Sequence, residues 1–462
     1  MTGSFDLNIE NVLENWEIHH AVREIIANAL DEMLITKTKA IGITKDNDGL
    51  WRIRDFGRGL EYKHFTQNES DEKARFSGVI GKFGVGLKDA LAVFYRRNIP
   101  IQIYTPHGDI SLDKISKAGF DDVITLNAVI QEPSRPDMVG TEFVIGIKDK
   151  DMYLAKNMFL YFNAANPIDI TDFGEIYEKS PGRKTAFIYV HGVKVAEEEN
   201  YLFDYNIMQT NTVLKKALNR ERGNVGRSAY SETVKKMVLK SANEKVIKLL
   251  INELDKFGAG TQADEVRLLD VQIHALKIYN QQKKIVVIPA RETYELDGFD
   301  KEVIHDSGRE ILIIPDTVFA KVNGEKDYDG NPIGTFDVAK EEYSNNFVYD
   351  FVGEEQLTAK EIQIWNLRYN AFEFYGEKKY RDKIYISNNI NIVKGYTGVY
   401  EPKEDRIIIK RSELKNIGSF FEVLFHELAH ATSGTVDNTR DFENELGKII
   451  NALSKAVLGK SD

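Results

Sequence analysis

Two short helix-forming stretches near opposite ends of the chain constrain it most. "REIIANALDE" (residues 23–32) and "LFHELAHATSG" (residues 424–434) each combine apolar positions at helical spacing with a polar group no packing argument requires. They lie about 400 residues apart in a chain of 462, too long for one hydrophobic core, so each is expected to belong to its own domain. The expected fold class is α+β and multidomain.

Composition narrows the classes. Lys and Arg number 61 against 72 Asp and Glu, a net charge of −11. That balance does not indicate a nucleic-acid or anionic-lipid surface, which needs clustered cations. There are no cysteines, which excludes disulfides and thiolate metal sites and leaves His and carboxylate as ligands. No apolar run is long enough to span a membrane, and Met1 to Leu7 carry no secretory pattern, so a cytoplasmic protein with no membrane partner is expected.

The front third carries three polar motifs. In residues 23–32, Glu24, Asn28 and Asp31 share one helix face, where a carboxylate and an amide one turn apart can orient water and hold a magnesium ion. A solvated polar stripe is the plainer reading of that face. In "IRDFGRGL" (53–60), Asp55 stands at a strand end, and Gly57 and Gly59 let a flat ring lie against the backbone. In "GVIGKFGVGLKDAL" (78–91), Gly81, Gly84 and Gly86 run into an apolar helix through Leu87 and Lys88, an arrangement suited to phosphate. It is neither a Walker A loop nor a Rossmann fingerprint.

Taken in order, E-x-x-x-N-A-x-D, D-x-G-x-G, a polar stretch, G-x-x-G-x-G and "GTEF" (140–143) over residues 10–150 resemble the GHKL ATPase family. That family includes gyrase, heat-shock chaperone ATPases, histidine kinases and the mismatch-repair MutL proteins. The resemblance implies a Bergerat-type α/β sandwich over 1–150 that binds ATP and Mg2+. It implies Glu24 as the general base, Asn28 beside Asp31 at the metal, and Asp55 reading the adenine amine with Thr141 behind it. Gly57 and Gly59 would line the ring, Gly81, Gly84, Gly86, Leu87 and Lys88 would cradle phosphates, and 61–80 would form a lid. Residues 151–257 look like a transducer domain of that family, from which Lys216, Arg220 or Arg222 would meet the γ-phosphate; a solvated basic turn is the plainer reading. Nucleotide binding would pair two such chains as a homodimer.

At the other end, apolar Phe420, Val423, Leu424, Leu428 and Ala431 predict a helix carrying His426-Glu427-x-x-His430. Two histidines one turn apart can share a zinc ion, and Glu427 can take a proton from an attacking water. A third ligand is needed, and Glu443, Glu445 and Asp437 are the candidates. Residues 351–462 resemble a minimal gluzincin-like peptidase domain, and by that resemblance a glutamate on the following helix completes the site, with Glu443 preferred. Tyr400, on the strand before the motif helix, is an oxyanion candidate or an ordinary core tyrosine. Residues 258–350 read as a small α/β domain built on two parallel strands, "KIVVIPA" (284–290) and "EILIIPD" (310–316), and "DYDGNPIG" (327–334) reads as a turn rather than a calcium loop.

The expected protein is an ATP-hydrolysing GHKL module that controls a zinc-dependent peptidase acting on a protein or peptide, in bacterial conflict or stress. One alternative is a chaperone-like or DNA-transaction ATPase whose HExxH domain is a non-catalytic scaffold. The other is a peptidase whose front domain senses nucleotide without hydrolysis.

Overall fold

The structure is a computed structural model that describes residues 3–7, 15–66, 76, 78–80, 86–117, 120–163, 165–218, 225–294, 300, 304, 308–376, 378–395 and 397–459. It is a mixed α+β protein with four sheets and no barrel among the described residues. The chain divides into two compact units, Met1–Ala275 and Leu276–Asp462. No described helix is long and apolar enough to cross a membrane.

The first unit opens with a seven-stranded, wholly antiparallel sheet. Its strands are β1 (Gly3–Asp6), β2 (Gly42–Lys45), β3 (Trp51–Arg54), β4 (Ile101–Thr105), β5 (Gly108–Lys117), β6 (Phe120–Gln131) and β7 (Glu142–Ile145), in the order β1-β6-β5-β4-β7-β3-β2. Helices α1 (Ile18–Thr36), α2 (Gly86–Arg96) and α3 (Asp149–Lys156) complete a two-layer core. Val22, Ile25, Ile26 and Ala29 of α1 pack with Ala90, Leu91 and Phe94 of α2 against Ile53, Ile103 and Phe143 of the sheet. Lys37 (φ 53°) ends α1 in the left-handed region.

A five-stranded sheet follows: β8 (Asp169–Thr171), β9 (Gly174–Glu178), β10 (Ala186–Val190), β11 (Val193–Glu198) and β12 (Phe203–Ile207), in the order β11-β10-β12-β9-β8. Strands β10 and β11 form a hairpin, in which His191 (φ 49°) and Gly192 (φ 80°) supply the two positive φ angles of a tight primed turn. Helices α4 (Thr212–Ala217), α5 (Ser231–Lys240) and α6 (Glu244–Leu254) succeed it. The last two are separate because Ser241 leaves the helical region and the Asn243 side chain caps α6. Helix α7 (Leu269–Gln282) runs through the division between the units.

In the second unit β13 (Ile285–Pro289) and β14 (Glu310–Ile314) pair in parallel, Ile285 opposite Glu310, as their apolar runs predict. Helices α8 (Asp316–Val322) and α9 (Phe336–Asn346) follow. A four-stranded sheet has the order β15 (Phe351–Val352), β16 (Ile384–Ser387), β18 (Arg406–Lys410), β17 (Gly398–Glu401). Between β15 and β16 lie two helices, α10 (Ala359–Asn366) and α11 (Arg368–Tyr375). Helices α12 (Ile417–Ser433) and α13 (Arg440–Leu458) close the chain, and Phe420, Leu424 and Leu428 of α12 pack on Ile384, Ile386, Ile407 and Ile409 of the sheet.

Candidate functional sites

On α1, Glu24 and Asp31 are buried and Asn28 is half-buried. Glu24 is held by its neighbour, Arg23, whose Nε donates to Oε1 at 3.0 Å. Arg23 is itself fully buried, its guanidinium 5.1 Å from the centre of the Trp16 ring. A side chain on Gly86 would collide with the Glu24 carboxylate, so the start of α2 lies directly against the candidate base. Asp31 accepts the main-chain N–H of Ile80 at 2.6 Å, fixing the backbone just before the glycine-rich stretch. Lys88, in the first turn of α2, is buried with its Nζ 5.4 Å from the Phe5 ring centre. Gly81 and Gly84 lie outside the described residues, as does 67–75, most of the expected lid.

Asp55 and Thr141 are neighbours because β3 pairs with β7, Arg54 opposite Glu142. Asp55 Oδ1 accepts the N–H of Gly57 at 2.9 Å and of Thr141 at 3.3 Å, and the Thr141 hydroxyl accepts from Leu60 N at 3.0 Å. Burial raises the Asp55 carboxyl above its ordinary range, and these hydrogen bonds oppose that. Two residues of the quoted motifs to which the sequence assigned no role, Gly140 and Glu32, shape this corner. Gly140 (φ 82°) abuts the carbonyl of Asp55 so closely that no side chain fits. Glu32 braces the Gly57 turn, accepting from Arg58 N and Nε, each at 2.9 Å. Lys216 is exposed on α4, while Arg220 and Arg222 lie outside the described residues.

In the second unit, α12 presents His426 and His430 with their Nε2 atoms 3.2 Å apart. Gly434 (φ 68°) caps α12, and the chain turns back so that Asp437 Oδ1 stands 3.2 Å from each Nε2. The three donor atoms thus form a triangle with edges of 3.2 Å. A tetrahedral zinc ion, with bonds of about 2.0–2.1 Å, spaces its ligand atoms about 3.3 Å apart. The triangle fits one face of such a tetrahedron and leaves the fourth position open. His430 Nδ1 lies 2.8 Å from the carbonyl oxygen of Thr435, which fixes the tautomer with Nε2 free to ligate. Burial lowers the pKa of His426 and favours the neutral, ligating form.

Asp437 therefore completes the cluster where Glu443 was preferred. The reason is local. Phe442 on α13 packs on both imidazoles, 5.1 Å from His426 and 4.5 Å from His430 between ring centres, and Glu443, one position on, is carried round to solvent. Glu445 is taken by the Tyr375 hydroxyl and by Lys448 at 2.7 Å.

Glu427 is buried beside this triangle, and desolvation pushes its carboxyl up to about 7, against the pull of His430 and of the Tyr400 N–H. That N–H, on the sheet-edge strand β17, donates to Glu427 Oε2 at 2.8 Å. Gly398 permits the approach, since a side chain there would meet Val423 and Glu427. The Tyr400 hydroxyl donates to Asp405 at 3.0 Å and its ring packs on Tyr380, so in this structure it anchors the β17–β18 turn.

Residues 150–244 match the family described as the Mycoplasma pneumoniae MPN635 N-terminal domain. An uncharacterized protein of Mycoplasma pneumoniae (strain ATCC 29342 / M129 / Subtype 1) is 35% identical over 246 residues, 52% of this chain and 98% of that protein. A second uncharacterized protein of the same strain is 25% identical over 353 residues, covering 70% of this chain and 97% of its own length. Matched at 35% identity along almost the whole of the first of these relatives, the chain belongs to the same family as that Mycoplasma pneumoniae protein.

Proposed function

We propose that the chain is an ATP-hydrolysing protein of the GHKL type whose second unit is a zinc-dependent peptidase. The observation that carries the reading is the triangle of His426 Nε2, His430 Nε2 and Asp437 Oδ1 with the buried Glu427 beside it. Held by these three ligands, zinc would polarise a peptide carbonyl and acidify an attacking water. Glu427 would accept the proton of that water and return it to the leaving amine, a role suited to a carboxyl buried beside the three ligands. Substrate backbone would align along the edge strand β17.

In the first unit, Glu24 would orient and deprotonate the water that attacks ATP, with Asn28 and Asp31 at the Mg2+ end and Asp55 and Thr141 at the adenine. The hydrogen-bonded Asp55–Thr141 corner and the contact between Glu24 and the start of α2 support this reading. The cycle of binding and hydrolysis would gate the peptidase, with two chains pairing in the ATP-bound state.

The test combines elemental analysis, ATP turnover and proteolysis in cells expressing the chain. Glu427→Gln should abolish cleavage and spare ATP turnover, whereas Glu24→Ala should abolish ATP turnover and lock or abolish the proteolytic response. A chain that hydrolyses ATP but takes up no metal would favour the scaffold reading of the second unit.

A further inference from the structure

The first unit contains a cleft of about 670 Å3 lined by His19 and by residues between Tyr153 and Asp204. Except for His19, its wall lies within the segment 150–244 that carries the family match. Neither candidate centre uses it.

Five aromatic side chains line this cleft: Tyr153, Phe162, Tyr177, Phe187 and Tyr189. The Phe187 ring is flanked by two cations, the Arg183 guanidinium 3.8 Å and the Lys194 ammonium 4.4 Å from its centre. Asn157 and Asn163 add amide donors and acceptors, and Asn163 already donates to the Tyr189 hydroxyl at 3.3 Å. The wall's charges are matched from within the chain: Arg183 pairs with Asp204, Glu178 with Lys245, and Lys194 with Glu197 at 2.7 Å. A charged ligand would give up hydration without gaining an uncompensated counter-charge. A flat neutral ring gains stacking on aromatic and guanidinium planes, and its polar edge can use the amides. The volume lies in the range of sites for small organic ligands.

We propose that this cleft binds a neutral heteroaromatic molecule of nucleoside size, its ring packed against the aromatic wall that includes Tyr153 and Phe187 and its polar edge bonded by Asn157 and Asn163. The site also has a route to the candidate base. The His19 ring centre is 4.1 Å from that of His20, His20 is 6.0 Å from Trp16, Trp16 is 5.1 Å from Arg23, and Arg23 bonds Glu24 at 3.0 Å. The route to Glu24 rests on the ATPase reading; the ligand site does not.

The probes are adenosine, guanosine, cytidine and uridine, titrated calorimetrically into the full chain carrying Asp55→Asn, which disables the candidate adenine contact. One-to-one binding of at least one nucleoside is expected, weakened about tenfold or more by Phe187→Ala and by Tyr153→Ala. Tyr153 is 65% exposed, so its removal leaves the core intact and decides the matter should Phe187→Ala not fold. No binding in the Asp55→Asn chain, or binding unchanged by Tyr153→Ala, overturns the site. ATP turnover is then read in the chain with Asp55 intact, with and without the nucleoside that binds, beside the same chain carrying Tyr153→Ala, in which any effect through the cleft should be lost. A changed rate supports the route through His19, and an unchanged rate with intact binding overturns the route alone. A chain that binds nucleoside but never turns over ATP contradicts the ATPase reading and leaves the cleft standing.

Discussion

Asp437 stands 3.2 Å from the Nε2 atoms of both His426 and His430, although it lies beyond the helix that carries them. A carboxylate in that position supplies the only acidic oxygen among the described residues that groups with the two imidazoles. Asp437→Ala should therefore weaken zinc binding by more than the roughly 10–100-fold typical of outer-shell partners. Glu443→Ala should leave it unchanged. Competition with a chromophoric chelator measures both, and the opposite ranking would return the third ligand to α13.

Arg23 and Glu24 form an ion pair at 3.0 Å with side-chain exposures of 1% and 4%. Removing one member deprives the other's buried charge of this partner, and breaking such a pair typically costs about 3–5 kcal/mol. Arg23→Met should destabilise the first unit by that order in urea unfolding, and adding Glu24→Gln should recover part of the loss. Equal stability of Arg23→Met and the unchanged protein would mean that the pair does not persist in solution.

Glu265 is buried, accepting from Leu202 N at 2.9 Å and the Tyr205 hydroxyl at 2.9 Å, and desolvation pushes its carboxyl from 4.5 up to about 7. The folded form holds the proton more tightly than the unfolded chain. Its contribution is fully present below about pH 4.5 and is lost as pH rises through about 7. Relative to Glu265→Gln, the unchanged protein should lose on the order of 3 kcal/mol across that window. Urea unfolding of both proteins at a series of pH values measures the difference, and a flat difference would contradict it.

Gly140 and Gly182 both have positive φ, 82° and 81°, but only Gly140 is pressed against a neighbouring backbone, at Asp55 just past the end of β3. Gly182→Ala should cost about 1 kcal/mol, the strain of the angle alone. Gly140→Ala should cost at least about 2 kcal/mol more, because Asp55 must move. Thermal unfolding of the two variants compares them, and Gly140→Ala should also loosen any adenine contact at Asp55.

The sequence made local features readable and left long-range ones hidden. The α1 face bearing Glu24, Asn28 and Asp31 follows from helical spacing, and the β13–β14 pair follows from two fully apolar runs. The α12 helix likewise follows from Phe420, Leu424 and Leu428. The contact of Asp55 with Thr141 depends on a strand pairing across 86 positions, which no local pattern encodes. Asp437 depends on the left-handed turns at Gly434 and Asn438, whereas helical spacing drew attention to Glu443. Glu265 lies in a short turn of a 3-10 helix, and only the folded chain reveals that it is buried. A glycine after an HExxH helix, followed three residues later by Asp, is the signal that would have pointed to Asp437.

The most direct test of the account is the zinc content of the purified full chain after reconstitution and dialysis, measured by elemental analysis beside the His426→Ala protein. The account predicts about one zinc per chain, absent from His426→Ala, with both proteins folded. A folded, unmodified chain that retains no zinc, or a His426→Ala chain that retains as much, would contradict it.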